Sequence, residues 1–592
     1  MSISRWRLSG LLFSLLATAV VCAQQPAAVQ WNGIAKVIAF ADVHGAYNDL
    51  HELLRDAGVL DAQDHWAAGR THVVSLGDLM DRGPDSRKVL DLLMRLQDEA
   101  LAAGGQLHVL LGNHEAMNLM GDLRYVTPAE FAAYADLETP ADRAGSTLPS
   151  GYFGKRAAFL PDGKYGKWLL AQPAVIKIND TLFMHAGPGS ALKGLSLQEL
   201  DLRYRTALTD YLGLVSRLEQ AKLLQPGDEY DARPRVARER LAALAASGSP
   251  PDPALSDMLR RLEVALANPL LSEDGPNWYR GAALCNEVTE SDILLPLLQQ
   301  FGAARVVVGH TPTRDGRVVT RFDGRVIKLD TGMNRAVYRG HPAALFLEPG
   351  LSVRYAGEPK AVPLQPEGLF VAPNEVDDAS VLAALRDGEV TVTGPRAPNE
   401  LAVSASFGGK KIPAVFLVLD ANAVKREIAA YRIDRMLGLG FVPATVEREV
   451  QGQRGVVQGR PLKWVTQADV SQQGLRGGGW CSIPLQFQMM YAFDTLIGNE
   501  NRTPRSILFD SDDWLVYGTS YERAFGTGAG LPAYLKTQPP APGAEFRRRV
   551  GLLEESGLKS GLGEQLDSRA LKAILERRNL LLKLPAAAAA SP

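Results

Sequence analysis

Short apolar runs alternating with amphipathic stretches set the first pattern in this chain. Residues 37–41 read Val-Ile-Ala-Phe-Ala, a continuous apolar run of strand length. Residues 48–56 then place Leu50, Leu53 and Leu54 on one helical face. Residues 72–76 repeat the strand pattern, 85–103 the helical one, and 108–111 give a third strand. This β-α-β-α-β order predicts an α/β fold, a sheet with covering helices. Further strands are expected at 174–178, 181–184, 305–308 and 325–329. Two helix-rich insertions interrupt the pattern, at about 127–168 and 196–269, the second broken by Pro250-Pro251-Asp252-Pro253. Residues 359–374 are proline-rich with little periodicity and read as a linker between a domain at 33–358 and a second mixed α/β domain at 375–584. The alanine-rich end, 585–592, cannot build a core.

Length agrees with two main domains, because 592 residues exceed what one core serves. A net charge of -2 gives no general attraction for nucleic acid or anionic membranes. The first residues read as a signal peptide: Arg5 and Arg7, an apolar stretch at 11–21, then Val21-Cys22-Ala23. Cleavage is expected after Ala23, which removes two arginines and leaves -2 - 2 = -4. The destination is then the periplasm or the medium, with no membrane span left behind. An uncleaved anchor would need a longer apolar stretch, and Val21 before Cys22 fits a lipidation site poorly. The mature chain keeps Cys285 and Cys481, far apart and in different expected domains, so no disulfide framework is implied; one bridge is conceivable outside the cytoplasm, and two free buried thiols are the expectation. None of the nine histidines lies beyond His341.

Chemistry collects at the strand ends. Asp42-Val43-His44-Gly45 follows the first strand, and Gly77-Asp78-Leu79-Met80-Asp81-Arg82-Gly83 the second. Gly112-Asn113-His114-Glu115 follows the third, His185-Ala186-Gly187 the strand at 181–184, and Gly309-His310-Thr311 the strand at 305–308. Ligands in open α/β sheets gather outside the carboxyl ends of strands. A mixture of carboxylate, imidazole and amide oxygen suits Zn, Mn or Fe better than Ca.

The ordered set D-x-H, G-D-x-x-D-R-G, G-N-H-E, H-A-G and G-H-T resembles the calcineurin-like metallophosphoesterases, and within them the phosphoprotein phosphatases. Residues 117–124, Met-Asn-Leu-Met-Gly-Asp-Leu-Arg, and 275–281, Gly-Pro-Asn-Trp-Tyr-Arg-Gly, are similar to the Shewanella-like branch. The resemblance covers about 35–357 and implies a β-sandwich flanked by helices. It implies two metal ions (Mn, Fe or Zn): Asp42 and His44 on the first, Asp78 bridging, and Asn113, His185 and His310 on the second. Arg82, Arg280 and Asn113 would hold the substrate phosphate, His114 would act as general acid, and Asp81 would orient it. A bridging carboxylate sets two metals about 3.5–4 Å apart around a shared water. His51, His65, His72, His108 and His341 read as structural. Residues 330–335, Asp-Thr-Gly-Met-Asn-Arg, replace a loop usual in eukaryotic relatives, so a preference among phosphotyrosine, phosphoserine and phosphothreonine is not implied. The expected substrate is a phosphorylated protein or a small phosphomonoester. A phosphodiesterase or nucleotide polyphosphate hydrolase shares the metals but typically ends the third motif in Asp, where Glu115 stands here. A phosphopeptide sensor is the alternative from another class.

Residues 493–525 are similar to bacterial kinase-like domains of the lipid-kinase and HipA-like type. Phosphoryl transfer needs a Lys on the ATP phosphates, an Asp at the hydroxyl, and an Asp with an Asn on Mg. Asn501 stands where the catalytic Asp belongs, Ser506 at the metal-binding Asn, Gly518 or Thr519 at the metal-binding Asp, and Leu417 at the Lys. Lys410 and Lys411 are off that position, which leaves Glu427 without its partner. The resemblance therefore implies a pseudokinase, a binding module for a protein partner.

Overall fold

The computed structural model describes residues 28–247, 252–348, 350–368 and 376–585. The stretch read as a signal peptide and nearly all of the alanine-rich end lie outside these. The first domain is a sandwich of two sheets. One has the order β1 (Gln30–Trp31), β5 (Val175–Ile178), β6 (Thr181–Met184), β7 (Arg305–Val308), β9 (Val326–Lys328), β8 (Val319–Arg321), β13 (Gln365–Pro366). The other runs β12 (Val362–Pro363), β11 (Gly350–Tyr355), β10 (Ala343–Glu348), β2 (Val37–Phe40), β3 (His72–Ser75), β4 (Gln106–Val109).

Side chains of β2 alternate between two cores, as successive residues of a strand must. Val37 and Ala39, with Val74, pack against Ile176, Phe183, Val307 and Ile327 of the facing sheet. Ile38, Phe40 and Val73 point the other way, into α1 (Tyr47–Asp56) and α2 (Ser86–Ala102), where Leu50, Leu53, Leu54 and Leu93 are buried. Strands β2, β3 and β4 are parallel, so their carboxyl ends share one edge, where α3 (Asn113–Met120) begins. The insertions are helical as read, with helices Leu197–Gln220, Arg233–Ala246 and Pro253–Leu266. Arg233, fully buried, donates to the carbonyls of Met120 and Gly121 and so holds the end of α3.

Two expectations change. Part of the stretch read as linker is structured: β12 pairs with β11, and β13 with β8, because proline is tolerated at sheet edges. The cysteines are not free. Cys285 and Cys481 form a disulfide, with Cα atoms 5.3 Å apart, within the range a bridge spans. Sequence separation hid a pairing that domain packing creates.

The second domain has an antiparallel sheet β14 (Glu389–Ala397), β15 (Glu400–Phe407), β16 (Lys410–Val418), β18 (Gln453–Gly459), β17 (Thr445–Val450), with helix Ala421–Leu437 against it. A smaller sheet β19 (Trp464–Thr466), β20 (Ile507–Asp510), β21 (Val516–Gly518) and helices Ile483–Ile497 and Ser568–Lys583 complete it. Helix Glu287–Gln300 of the first domain packs against helices Ala544–Gly551 and Ile483–Ile497 of the second. Asp292 accepts the backbone N–H groups of Ala544 and Glu545 at 3.0 and 3.3 Å, satisfying the start of that helix.

Candidate metal centre

Five strand-end loops converge on one buried cluster. Several of their residues hold left-handed backbone: His44 (φ 47), Asp78 (52), Asp81 (68), Arg82 (63) and His310 (64). Non-glycine residues resist this conformation, and such strain persists where the surroundings over-determine it, as at functional sites. Glycines allow the loops to approach: a Cβ on Gly112 would strike the Asp78 carboxylate, and one on Gly309 that of Asp42.

Glu115 is the tie that sequence reasoning assigned no role. Its carboxylate accepts the backbone N–H of Asp78 at 2.8 Å, Leu79 at 2.8 Å and Gly112 at 2.7 Å, which fixes the second loop against the third. Burial, with Asp78 close by, pushes its carboxyl up to about 7. Asn334 donates to the His44 carbonyl at 2.9 Å and braces the first loop from residues 330–335.

The donor atoms are set for cations. His185 gives its Nδ1–H to the Leu76 carbonyl at 2.9 Å, and His44 gives its own to Met80 at 3.1 Å. A carbonyl only accepts, so in the neutral rings each Nε2 carries a lone pair. His185 Nε2 lies 2.9 Å from Asn113 Oδ1, 3.1 Å from His310 Nδ1 and 3.3 Å from Asp78 Oδ1. His44 Nε2 lies 3.7 Å from Asp78 Oδ2 and 4.0 Å from Asp42 Oδ2, and an N–H of Arg82 reaches it at 3.3 Å. Lone pairs aimed at one another at such distances are repulsive unless a proton or a metal stands among them, and this is the fit expected of a metal site. Asp78, His185 and His310 form one group with all ligand atoms within 4.8 Å, and His44, Asp78 and His114 form another. Asp78 belongs to both, the position of a bridging carboxylate. Asp42 also accepts the backbone N–H of His310 at 3.0 Å.

Electrostatics agree. Burial pushes the Asp42 carboxyl well above the ordinary range, and Asp330 beside it adds to this. Burial alone would lower His185, but Asp78 and Asp42 outweigh it and raise the imidazole to about 9. That bound proton occupies the place of a cation. Asp330, buried and pushed up to about 6, is a second acidic group that the motifs did not flag.

Around the cluster stand the groups that could handle a phosphate ester. His114 Nδ1 is 2.6 Å from Asp81 Oδ2, and Asn118 donates to both oxygens of Asp81 at 3.0 Å. His114 Nε2 is buried without a hydrogen-bond partner among the described residues. Arg82 lies between the rings of Tyr125 and Tyr338, 5.2 and 5.6 Å from their centroids. Arg280 donates to the His310 carbonyl at 2.7 Å and Thr311 Oγ1 at 2.9 Å. Its guanidinium also lies 5.5 Å from the ring of Trp480, a residue of the second domain. His51, His65, His72 and His108 are engaged elsewhere, the last two 3.0 Å apart beside Trp31.

In the second domain, Asn501 donates to Glu522 at 3.2 Å, and Ser506 turns back on the Thr503 carbonyl at 2.9 Å. Glu427 accepts the backbone N–H of Tyr521, while Lys410 and Lys411 sit exposed at the far end of β16 from Leu417.

The calcineurin-like phosphoesterase family matches residues 35–314. Among curated relatives, Shewanella-like protein phosphatase 1 of Plasmodium berghei is 24% identical over 320 residues, 54% of this chain and 72% of that protein. Shewanella-like protein phosphatase 2 of Arabidopsis thaliana is 34% identical over 180 residues, 26% of this chain and 46% of that one. Among solved structures, the cold-active protein-tyrosine phosphatase of a psychrophilic Shewanella is 30% identical, covers 57% of this chain and 82% of its own, and has a TM-score of 0.40. The matched residues 35–314 hold every metal-donor loop described above, so this part of the chain is a calcineurin-like phosphoesterase domain, a metal-dependent phosphoesterase.

Proposed function

We propose that the chain is a two-metal phosphomonoesterase whose substrates are phosphorylated protein side chains, tyrosine or serine and threonine. Asp42, His44, Asp78, Asn113, His185 and His310 would hold the metals. Bound there, a metal pair supplies charge to the phosphoryl oxygens and acidifies a shared water. The chain's own groups do the rest. Arg82 and Arg280 flank the cluster with guanidinium forks that match phosphate oxygens. The observation that carries the reading is His114. Its Nδ1 is 2.6 Å from Asp81, and its Nε2 is buried without a hydrogen-bond partner among the described residues. Burial opposes protonation, but Asp78 and Asp81 outweigh it and shift the imidazole above the ordinary histidine value, which favours a proton on Nε2. With Nδ1 on Asp81, that proton sits where Nε2 could deliver it to a leaving alkoxide or phenoxide.

The test is phosphate release from p-nitrophenyl phosphate and from matched phosphotyrosine and phosphoserine peptides, with protein from Gln24 onward. Turnover with Mn, lost on chelation and regained on adding metal back, is expected. Bis-p-nitrophenyl phosphate cleaved faster than either peptide would move the chain to the diesterases.

The second domain is proposed as a kinase-like module without phosphotransfer, from the missing Lys, Asp and Asn noted above. Export to the periplasm is proposed from the sequence at 1–23, and the Cys285–Cys481 bridge supports it, since disulfides persist in oxidising compartments. Peptide mapping without reductant, on protein recovered from the periplasm, should yield the linked pair. Recovery of the chain in the cytoplasm with both thiols free would overturn the assignment.

A further inference from the structure

A groove of about 850 Å³ runs between the two domains. One wall is helix Glu287–Gln300, with half-buried Leu295 and exposed Pro296 facing the space. The opposite wall is the glycine-rich loop 477–479 continuing through Trp480 to Leu485. The lining is mostly apolar, and charges of both signs, Lys193, Asp274 and Arg548, stand among its residues. Its volume falls in the range of specific ligand sites.

Two features connect the groove to the phosphate site. Tyr279 lines it and immediately precedes Arg280, and its hydroxyl is held by Glu290 at 2.9 Å. Trp480 lines it too, and its ring meets the Arg280 guanidinium 5.5 Å away. The walls are also fixed to each other. Cys285–Cys481 joins them next to Trp480, and Asp292 holds the start of helix Ala544–Gly551. A preformed groove loses little ordering entropy when it is filled.

We propose that this groove binds the polypeptide flanking the phosphorylated side chain, taking apolar residues of an extended segment while the phosphate lies at Arg82 and Arg280. The proposal rests on the phosphoprotein phosphatase reading above. The contact between Arg280 and Trp480 argues for the substrate itself as occupant, because Trp480 lines the groove and Arg280 is one of the two arginines assigned to the phosphate. The second domain is then part of the substrate site, and the disulfide keeps it in place.

The experiment uses the protein from Gln24 onward with Mn and two phosphopeptides that differ only in flanking residues, Leu and Val in one, Gly and Ser in the other. The apolar peptide is expected to have a kcat/KM about tenfold higher, as burial of a single large apolar side chain can supply. Leu295→Glu and Leu485→Glu should each erase that preference and leave p-nitrophenyl phosphate turnover unchanged. Equal turnover of both peptides by the unaltered protein, or a preference that survives both substitutions, overturns the proposal. Fluorescence anisotropy with the unphosphorylated apolar peptide reads the groove without catalysis: binding weakened in both variants supports it, and equal binding overturns it. Should the unaltered protein turn over no ester, the phosphatase reading falls, and anisotropy still decides whether the groove takes apolar peptide.

Discussion

Asp78→Asn is expected to lower kcat/KM for p-nitrophenyl phosphate by roughly 10³-fold or more, because bound metal supplies several kcal/mol of transition-state charge stabilisation and each 1.4 kcal/mol is a factor of about ten. Asp78 is the one carboxylate shared by both donor groups, so its loss weakens both at once. Metal content measured on dialysed protein should fall with activity. Thermal melting gives a second readout. Mn should stabilise the unaltered protein, by about 2.7 kcal/mol at a hundredfold excess over Kd, and barely shift the variant. The shift should also depend on pH, with a definite sign. His185 is raised to about 9, so at neutral pH the metal-free protein holds a proton there. Its contribution to metal-free stability is complete below the ordinary histidine range and is lost as pH rises towards 9. Metal binding displaces the proton, so affinity should increase with pH, about tenfold per unit from this group, and level off near 9. A Mn-induced shift that is flat between pH 7 and 9 would contradict displacement of the His185 proton by metal, and a variant that retains both metals would contradict the bridging role of Asp78.

Much of this centre is legible in the sequence for a physical reason. Parallel strands β2, β3 and β4 end on one edge, so residues just after each apolar run must meet there, and Asp42, Asp78 and Asn113 do. His185 and His310 follow β6 and β7 of the other sheet in the same way. The supporting groups are harder to read. Glu115 looks like the end of a motif until its three backbone partners are seen, and Asn118 is one polar residue in a helix until Asp81 is found beside it. Trp480 carries no sequence signal at all. Nothing in residues 477–481 announces that a chain segment two hundred residues downstream will lie over Arg280, and the same distance concealed the Cys285–Cys481 pair. The proline-rich stretch misled in the other direction, since weak periodicity cannot separate a linker from two short edge strands.

His114→Asn should separate two roles that the geometry allows for this imidazole. As general acid it touches the leaving oxygen, and its removal should lower kcat by about 10²–10⁴ while metal content stays unchanged. As a ligand beside His44 and Asp78 its removal should cost metal as well. The leaving group sharpens the distinction. p-Nitrophenolate departs without a proton, whereas the alkoxide of phosphoserine needs one. The general-acid role therefore predicts a much larger loss on the phosphoserine peptide than on p-nitrophenyl phosphate, and a ligand role predicts equal losses on both. Asn118→Ala provides the finer control. Its amide donates to both oxygens of Asp81 at 3.0 Å and to the backbone carbonyl of His114 at 2.9 Å, so it positions the Asp81–His114 pair without its own contact to the six proposed metal ligands. Outer partners of this kind are worth about 10–100-fold. Its loss should fall on kcat for phosphoserine peptide with KM little changed, and Asn118→Asp, which removes the donor and adds repulsion to Asp81, should be worse than Asn118→Ala. If Asn118→Ala instead lowers both esters equally, Asp81 supports the metal loops rather than the proton on His114, and the acid must be sought in another residue of the site.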